Sequence, residues 1–160
     1  MAGQSKSPIM AVFDNNVLLQ AMSNANGPAG ACMQAVREGR IRLCVGRDLL
    51  AEFEAVAARP LLVRKLRLTE TGTARFITEL LALAEMIDPV PSVFTHPIDP
   101  KDTMVVNLAV AAGAHVITSR DRHLLSLRDP TVPAGLEFMS RFGFIEVLTP
   151  VELLNRLSSE

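Results

Sequence analysis

Short apolar runs alternate with amphipathic stretches along most of the chain. Apolar, β-branched runs predict strands, and five of them occur, at 9–13, 41–45, 90–94, 115–119 and 144–148. Helical periodicity covers five further stretches, at 17–22, 32–38, 49–58, 71–87 and 99–112, with a loop at 24–30. Because strands alternate with helices, the pattern predicts an α/β fold: a central parallel sheet of four to five strands with helices on both faces.

Several residues predict where helices begin and end. Pro60 is expected to break the chain between two helices, and Gly113 to end the helix that precedes it. Near the C-terminus, the segment from Thr149 to Glu152 has the form of a capping box, with Pro150 at the first helical position.

Length and composition favour one domain. The chain has 160 residues, 49% of them hydrophobic, and contains no linker, repeat or low-complexity run. We therefore expect a flexible N-terminal tail at 1–8 and a single domain at 9–160. The polar tail lacks the order of a secretion signal, and the longest apolar stretch, 104–117, is interrupted and too short to cross a membrane. A soluble, cytoplasmic protein is expected.

Cysteine content and net charge limit the possible chemistry. Cys32 and Cys44 form no CxxC pair, which favours two reduced thiols in the core. The formal charge of −1 excludes a strongly cationic nucleic-acid binder. A polyanion would therefore have to bind through a local basic patch or a metal ion.

Four acidic residues follow the predicted strands at their carboxyl ends. Asp14 ends the first strand, and Asp121 comes two residues after the fourth. Glu52 and Asp102 lie near the starts of the helices that follow the second and third strands. In open α/β sheets these ends share one edge, where ligands bind. Clustered carboxylates repel one another, and Mg²⁺ or Mn²⁺ would relieve that repulsion and support phosphodiester hydrolysis.

The four acids differ in how strongly their positions support this role. A carboxylate directly after a buried run, such as Asp14, needs a partner. Asp102 lies close to the apolar stripe of its helix, whereas Asp99 is best explained as the N-cap before Pro100. Glu52 has a rival in Glu54, since the two flank the apolar face of one helix and helical periodicity does not choose between them.

Four sequence motifs occur in the order and spacing of the PIN-domain family of metal-dependent nucleases. They resemble that family's motifs in AVFDNNVL at 11–18, LLAEFEAV at 49–56, DPKD at 99–102 with LAVAAGA at 108–114, and VITSRDRHLL at 116–125. The resemblance covers nearly the whole chain. The Asp-Pro-x-Asp form is similar to the branch of toxin components of toxin–antitoxin pairs, akin to VapC ribonucleases.

This resemblance implies a PIN-like three-layer α/β/α fold and an Mg²⁺- or Mn²⁺-dependent endoribonuclease, the toxin of a type II toxin–antitoxin pair. It implies a homodimer, inhibition by a cognate antitoxin, and selection of Glu52 rather than Glu54. The implied catalytic and metal-binding residues are Asp14, Glu52, Asp102 and Asp121. Asn16 and Ser119 would support the site by orienting acids, with Asp99 beside them as a cap.

Three positions depart from the family pattern. Asn15 replaces the usual Thr, and Ser119 replaces a Thr but keeps the hydroxyl. His123 stands where many relatives have an Asp, which is expected to thin the acidic cluster or weaken a second metal position.

Basic residues near the motifs are candidates for RNA contacts, although a basic run is more often a solvated surface. The chain lacks Trp and Tyr, which argues against a dedicated single-strand binding platform. The candidates are Arg120 and Arg122 beside the last acid, and Arg59, Arg64, Lys65 and Arg67 after the second motif.

Two other functions remain as hypotheses. The chain could be a PIN-like binding module for protein or RNA whose chemistry has faded, although retention of all four acids counts against that. A phosphoryl-transfer domain is the other hypothesis. Its dehalogenase form requires an Asp at position 16, where this chain has Asn16, and its receiver form requires a Lys after a late strand, which is missing here.

Overall fold

The computed structural model describes residues 7–159, so most of the predicted N-terminal tail lies outside the described residues. A five-stranded parallel sheet forms the centre, with the strand order β3-β2-β1-β4-β5. The strands are β1 (Ile9–Phe13), β2 (Ile41–Gly46), β3 (Glu85–Ile87), β4 (Val116–Thr118) and β5 (Glu146–Leu148).

Helices connect successive strands and cover both faces of the sheet. They are α1 (Asn15–Ser23), α2 (Pro28–Arg37), α3 (Arg47–Ala57), α4 (Pro60–Leu66), α5 (Glu70–Leu83), α6 (Pro100–Ala112), α7 (Arg122–Leu125), α8 (Pro133–Phe142) and α9 (Pro150–Ser158), with a 3₁₀ turn at Ser126–Arg128. Among the residues described, no helix combines the length and apolarity needed to cross a membrane.

Side chains alternate across the sheet and divide the core into two layers. In β1, Phe13 packs with residues of α1, α2, α3, α5 and α9, whereas Val12 faces the opposite layer, built from α6 and α8. The predicted three-layer α/β/α architecture with a parallel sheet is therefore confirmed. The connection from β3 to β4 crosses over β1, which makes the carboxyl ends of β1 and β4 the switch point where such sheets bind ligands.

The predicted helix boundaries at three residues are confirmed. Asp99 caps α6 by accepting a hydrogen bond from the Lys101 amide at 2.9 Å, and Gly113 ends that helix in the left-handed region at φ 66°. Thr149 and Glu152 form the expected capping box of α9.

Both cysteines are free and buried, as expected for core thiols. Burial raises the pKa of Cys32 to about 12 and that of Cys44 to about 11, which keeps both thiols protonated and unreactive.

The prediction of a third strand at 90–94 was wrong. That segment is a loop held by Asn107, whose Oδ1 accepts hydrogen bonds from the Val93 and Phe94 amides, both at 2.9 Å. The strand instead lies at β3, which periodicity had assigned to the end of a helix at 71–87. All three β3 side chains are exposed or half-buried, so this edge strand lacks the apolar alternation that marks a strand.

Three helices, α4, α7 and α8, were not predicted. Pro60 does not merely break the chain; it occupies the first turn of α4, where its missing N–H has no helical partner to lose. Helix α8 buries Phe138 and Phe142 against the layer that contains Val12. The loop expected at 24–30 is also shorter, because α2 begins at Pro28.

Candidate active site

Asp14 lies at the carboxyl end of β1 and also caps α1. Its Oδ1 accepts a hydrogen bond from the Val17 amide at 2.9 Å, and its Oδ2 accepts one from the Ser119 hydroxyl. The side chain is only 5% exposed. Burial raises the pKa of Asp14 to about 6, although the hydrogen bonds from Ser119 and Val17 oppose that rise. The structure thus places a buried carboxyl group, fixed from two sides, at the switch point of the sheet.

Ser119 connects Asp14 to Asp121 at the end of β4. The Ser119 hydroxyl accepts a hydrogen bond from the Asp121 amide at 2.9 Å while it donates to Asp14. Asp121 caps α7, and its Oδ1 accepts a hydrogen bond from the His123 amide at 2.7 Å. One buried hydroxyl therefore joins two acids that are far apart in the sequence.

Asp102 is a buried acid of the site with a strongly raised pKa. It lies in the first turn of α6 and is 4% exposed, and its Oδ2 has no hydrogen-bond partner within residues 7–159. Burial, and then repulsion from Asp121, Asp99 and Asp14, raises the pKa of Asp102 to about 7. A buried carboxylate oxygen without a partner is costly, and a cation in the adjacent space would remove that cost.

Four side chains, Asp102 among them, converge in an arrangement that fits a divalent cation. Asp99, Asp102, Asp121 and His123 each offer one ligand atom, and these atoms all lie within 4.8 Å of one another. Carboxylate oxygens suit Mg²⁺ and Mn²⁺, and an imidazole nitrogen is accepted by transition metals. The unpartnered Oδ2 of Asp102 supports the same conclusion independently.

Glu52 lines the same cleft, whose volume is about 230 Å³, together with Asp14, Asp99, Asp102 and Asp121. It lies outside the group of four ligand atoms and is paired with two cations. Lys101 Nζ is 3.1 Å and an Arg59 guanidinium nitrogen 3.9 Å from the Glu52 Oε1 atom. Glu54 borders a different cavity, so the structure places only one of the two rival acids in the cleft.

Lys101 and Arg59 are the basic residues that line this cleft, within the described part of the chain. Lys101 was missed by the sequence analysis, because its proximity to Glu52 depends on how α3 packs against α6. The sequence signal that could have pointed to Lys101 is its place between two acids, Asp99 and Asp102, whose negative charge favours a nearby cation. The other basic candidates are exposed and not among the cleft-lining residues: Arg64, Lys65, Arg67, Arg120 and Arg122.

Residues 10–123 match the PIN domain family, a span that contains every residue of the acidic cleft. The chain belongs to the PIN domain family. It is also 28% identical over 153 residues to the uncharacterized protein MJ1680 of Methanocaldococcus jannaschii, an alignment that covers 89% of this chain and 97% of that protein. PIN domains are typically metal-dependent nucleases.

In this PIN domain, His96 holds together the two loops that contribute to the four-residue group. It is 4% exposed, and its Nδ1 accepts hydrogen bonds from the amides of Ile98 and Asp99 at 3.2 and 3.3 Å. Its Nε2 lies 3.1 Å from the His123 carbonyl, to which the neutral ring can donate. His96 therefore has a structural role: its hydrogen bonds connect the backbone at Ile98 and Asp99 with that at His123.

The expectation that the Asn16 side chain orients an acid is not met in the structure. The Asn16 side chain is exposed and makes no hydrogen bond to any residue in 7–159, and it is its backbone N–H that bonds to Asp14. Asn15, at the position where the family usually has Thr, has a buried Oδ1 without a partner in the same range. The PIN domain thus orients Asp14 mainly through Ser119 and the first turn of α1.

Proposed function

We propose that this PIN domain is a divalent-metal-dependent endoribonuclease. The observation that supports this most strongly is the unpartnered, buried Oδ2 of Asp102 beside two further acids, Asp99 and Asp121. That arrangement is unfavourable without a cation and favourable with one. The family to which the chain belongs supplies the same chemistry.

The residues divide into those that hold the cation and those that balance the site. Asp102 and Asp121 would hold the cation, and Asp14 and Glu52 line the same cleft. The cation, when bound, stabilises developing charge on a phosphodiester and lowers the pKa of an attacking water. Ser119 favours the ionised form of Asp14 by donating a hydrogen bond to its carboxylate, which opposes the effect of burial on the Asp14 pKa.

Lys101 and Arg59 explain how an acidic cleft accepts a polyanion. Both are cationic, both line the cleft, and both pair with Glu52, which lies outside the four-residue ligand group. Both cations remain available to pair with an entering phosphate, because the Arg59–Glu52 pair at 3.9 Å is loose and more than half of each basic side chain is exposed. We propose that these two residues contact the RNA backbone beside the scissile bond.

The biological role that we propose for this ribonuclease is that of a toxin. A toxin of a type II toxin–antitoxin pair, acting as a homodimer and inhibited by a small antitoxin, is supported by the resemblance of the Asp99–Asp102 segment to VapC-like ribonucleases. The ions proposed are Mg²⁺ and Mn²⁺, since both suit clustered carboxylates. A short neighbouring gene encoding an antitoxin-like protein would support the toxin role.

Cleavage of mixed RNA by the purified protein tests the enzymatic proposal. The samples contain Mg²⁺, Mn²⁺ or EDTA, and the variants are Asp102→Asn and, as a matched control, Glu54→Gln. The proposal expects cleavage with metal that EDTA and Asp102→Asn abolish and that Glu54→Gln leaves unchanged. RNA binding without cleavage under every condition would instead identify a binding module.

A further inference from the structure

His123 belongs to the group of candidate metal ligands, although the sequence comparison suggested that it removes an acid from the site. Its imidazole offers one ligand atom to the same 4.8 Å group as Asp99, Asp102 and Asp121. We propose that His123 is a direct nitrogen ligand of the cation and that it makes the site prefer Mn²⁺ to Mg²⁺. This inference rests on the proposed function and specifies the metal that it uses.

The main chain of His123 is fixed on both sides of its imidazole. Its N–H donates to Asp121 Oδ1 at 2.7 Å, and its carbonyl accepts a hydrogen bond from the Ser126 hydroxyl at 2.7 Å. The same carbonyl lies 3.1 Å from His96 Nε2. These contacts fix the backbone from which the imidazole projects.

The imidazole is close to the acids without being hydrogen-bonded to the nearest one. His123 Nδ1 lies 3.8 Å from Asp121 Oδ1, too far for a hydrogen bond but compatible with two atoms that face the same ion. The side chain is 31% exposed, and its ring centroid lies 6.1 Å from that of the His96 ring. A cation shared by His123 Nδ1 and Asp121 Oδ1 would explain the spacing of these two atoms.

A second observation shows independently that this space is meant for a ligand. Asp102 is 4% exposed, and its Oδ2 has no hydrogen-bond partner in the described chain. The side chain therefore has an unused acceptor in the same cluster as the imidazole. Acids alone would not distinguish a metal site from a repulsive cluster, whereas an unused buried acceptor favours the metal site.

The chemistry of the donors then decides between metals. Mg²⁺ takes oxygen ligands almost exclusively and retains several waters, so an imidazole in its coordination shell contributes little. First-row transition ions accept imidazole nitrogen, and Mn²⁺ also accepts the three carboxylates. Replacing a carboxylate by an imidazole also lowers the negative charge of the site, and the nitrogen ligand offsets that loss for Mn²⁺ more than for Mg²⁺.

Electron spin-echo spectroscopy of the Mn²⁺-loaded protein detects a directly bound nitrogen through its ¹⁴N coupling. The wild-type protein should show that coupling, and His123→Asp should lose it while still binding Mn²⁺. His115→Asn serves as the control, because His115 lies at the opposite end of β4 and its Nδ1 accepts a hydrogen bond from the Met10 amide. That control should keep the wild-type ¹⁴N signal.

Competition calorimetry with Mn²⁺ and Mg²⁺ measures the preference without relying on activity. We expect His123→Asp to reduce the ratio of Mn²⁺ to Mg²⁺ affinity at least tenfold. His123→Asn, which keeps a polar side chain at this position, should weaken Mn²⁺ binding and leave Mg²⁺ binding unchanged. Tight Mn²⁺ binding without ¹⁴N coupling, or an unchanged ratio in His123→Asp, would overturn the inference. Failure of the wild-type protein to bind any divalent cation would overturn the proposed function as well.

Discussion

The Ser119 hydroxyl donates a hydrogen bond to the Asp14 carboxylate and in this way joins the carboxyl ends of β4 and β1. The same hydroxyl accepts the amide hydrogen of Asp121 at 2.9 Å. Because Ser119 is fully buried, no water can replace either bond when the side chain is shortened. The relationship makes a residue without charge a determinant of the charge state of the site.

Ser119→Ala should raise the pKa of Asp14 above its present value of about 6, since the lost hydrogen bond favours the ionised form. Mn²⁺ binding requires ionised carboxylates, so its midpoint should move to higher pH. Calorimetric titrations with Mn²⁺ between pH 5 and 8, conditions chosen on either side of about 6, measure the shift. Ser119→Thr retains a hydroxyl and should keep the wild-type midpoint; an unshifted Ser119→Ala would show that the bond is unimportant.

Asp102→Asn should stabilise the metal-free protein above pH 7 even though it removes a metal ligand. The raised pKa of Asp102, about 7, means that the folded protein holds the ionised form unfavourably. A neutral amide avoids that cost, and we expect a gain of up to about 4 kcal/mol in the free energy of unfolding. Urea titrations at pH 8 in EDTA measure it. Glu54→Gln should change little, and destabilisation by Asp102→Asn would contradict the assignment of Asp102 as a strained acid.

The metal-free wild-type protein should lose stability as the pH rises from about 4 to about 7. Asp14 and Asp102 have pKa values raised from 3.8 to about 6 and about 7, so folding favours their protonated forms. Their contribution is complete below the unfolded pKa and is lost as pH rises through the folded values; for Asp14 alone it corresponds to about 3 kcal/mol.

Thermal melts in EDTA across this range measure the loss, with Mn²⁺ added in parallel samples. Saturating Mn²⁺ should restore stability at high pH, because the ion binds the ionised, folded form. Melting temperatures that rise with pH in EDTA, or that ignore Mn²⁺, would contradict this explanation.

Lys101→Met should weaken RNA cleavage about tenfold or more, mainly through KM, because it removes a phosphate-binding cation from the cleft. The dependence of log affinity on log salt should also become shallower by about one unit. Binding of a labelled RNA at several salt concentrations measures both effects. Lys65→Met is the matched control, since Lys65 is exposed on α4 outside the cleft; equal losses from both substitutions would favour a diffuse basic surface.

The sequence was informative where one strong local pattern determines the structure. Asp14 was placed correctly at the end of β1 because five apolar residues precede it, and the caps at Asp99 and Thr149 follow from local hydrogen bonding. The edge strand β3 escaped prediction because its three residues lack alternation and pair only with β2. Local sequence pattern predicts secondary structure poorly where tertiary contacts determine it.

The same distinction applies to the site. Spacing alone left Glu52 and Glu54 equivalent, and the resemblance to PIN domains favoured the residue that lines the cleft. His123 was expected to thin the cluster, yet it supplies a candidate nitrogen ligand through the fold of the β4–α7 turn. The pairing of Lys101 with Glu52 likewise joins two separate helices, and no sequence spacing encodes it.

The central claim is that the cluster around Asp102 binds a cation that RNA hydrolysis requires. RNA cleavage and bound Mn²⁺, measured in the same samples as Mn²⁺ is titrated into EDTA-treated protein, test it most directly. The account predicts that cleavage rises in proportion to bound Mn²⁺ in the wild type and in Glu54→Gln, and is absent in Asp102→Asn. Cleavage that proceeds before any Mn²⁺ binds, or at the wild-type rate in Asp102→Asn, would contradict it.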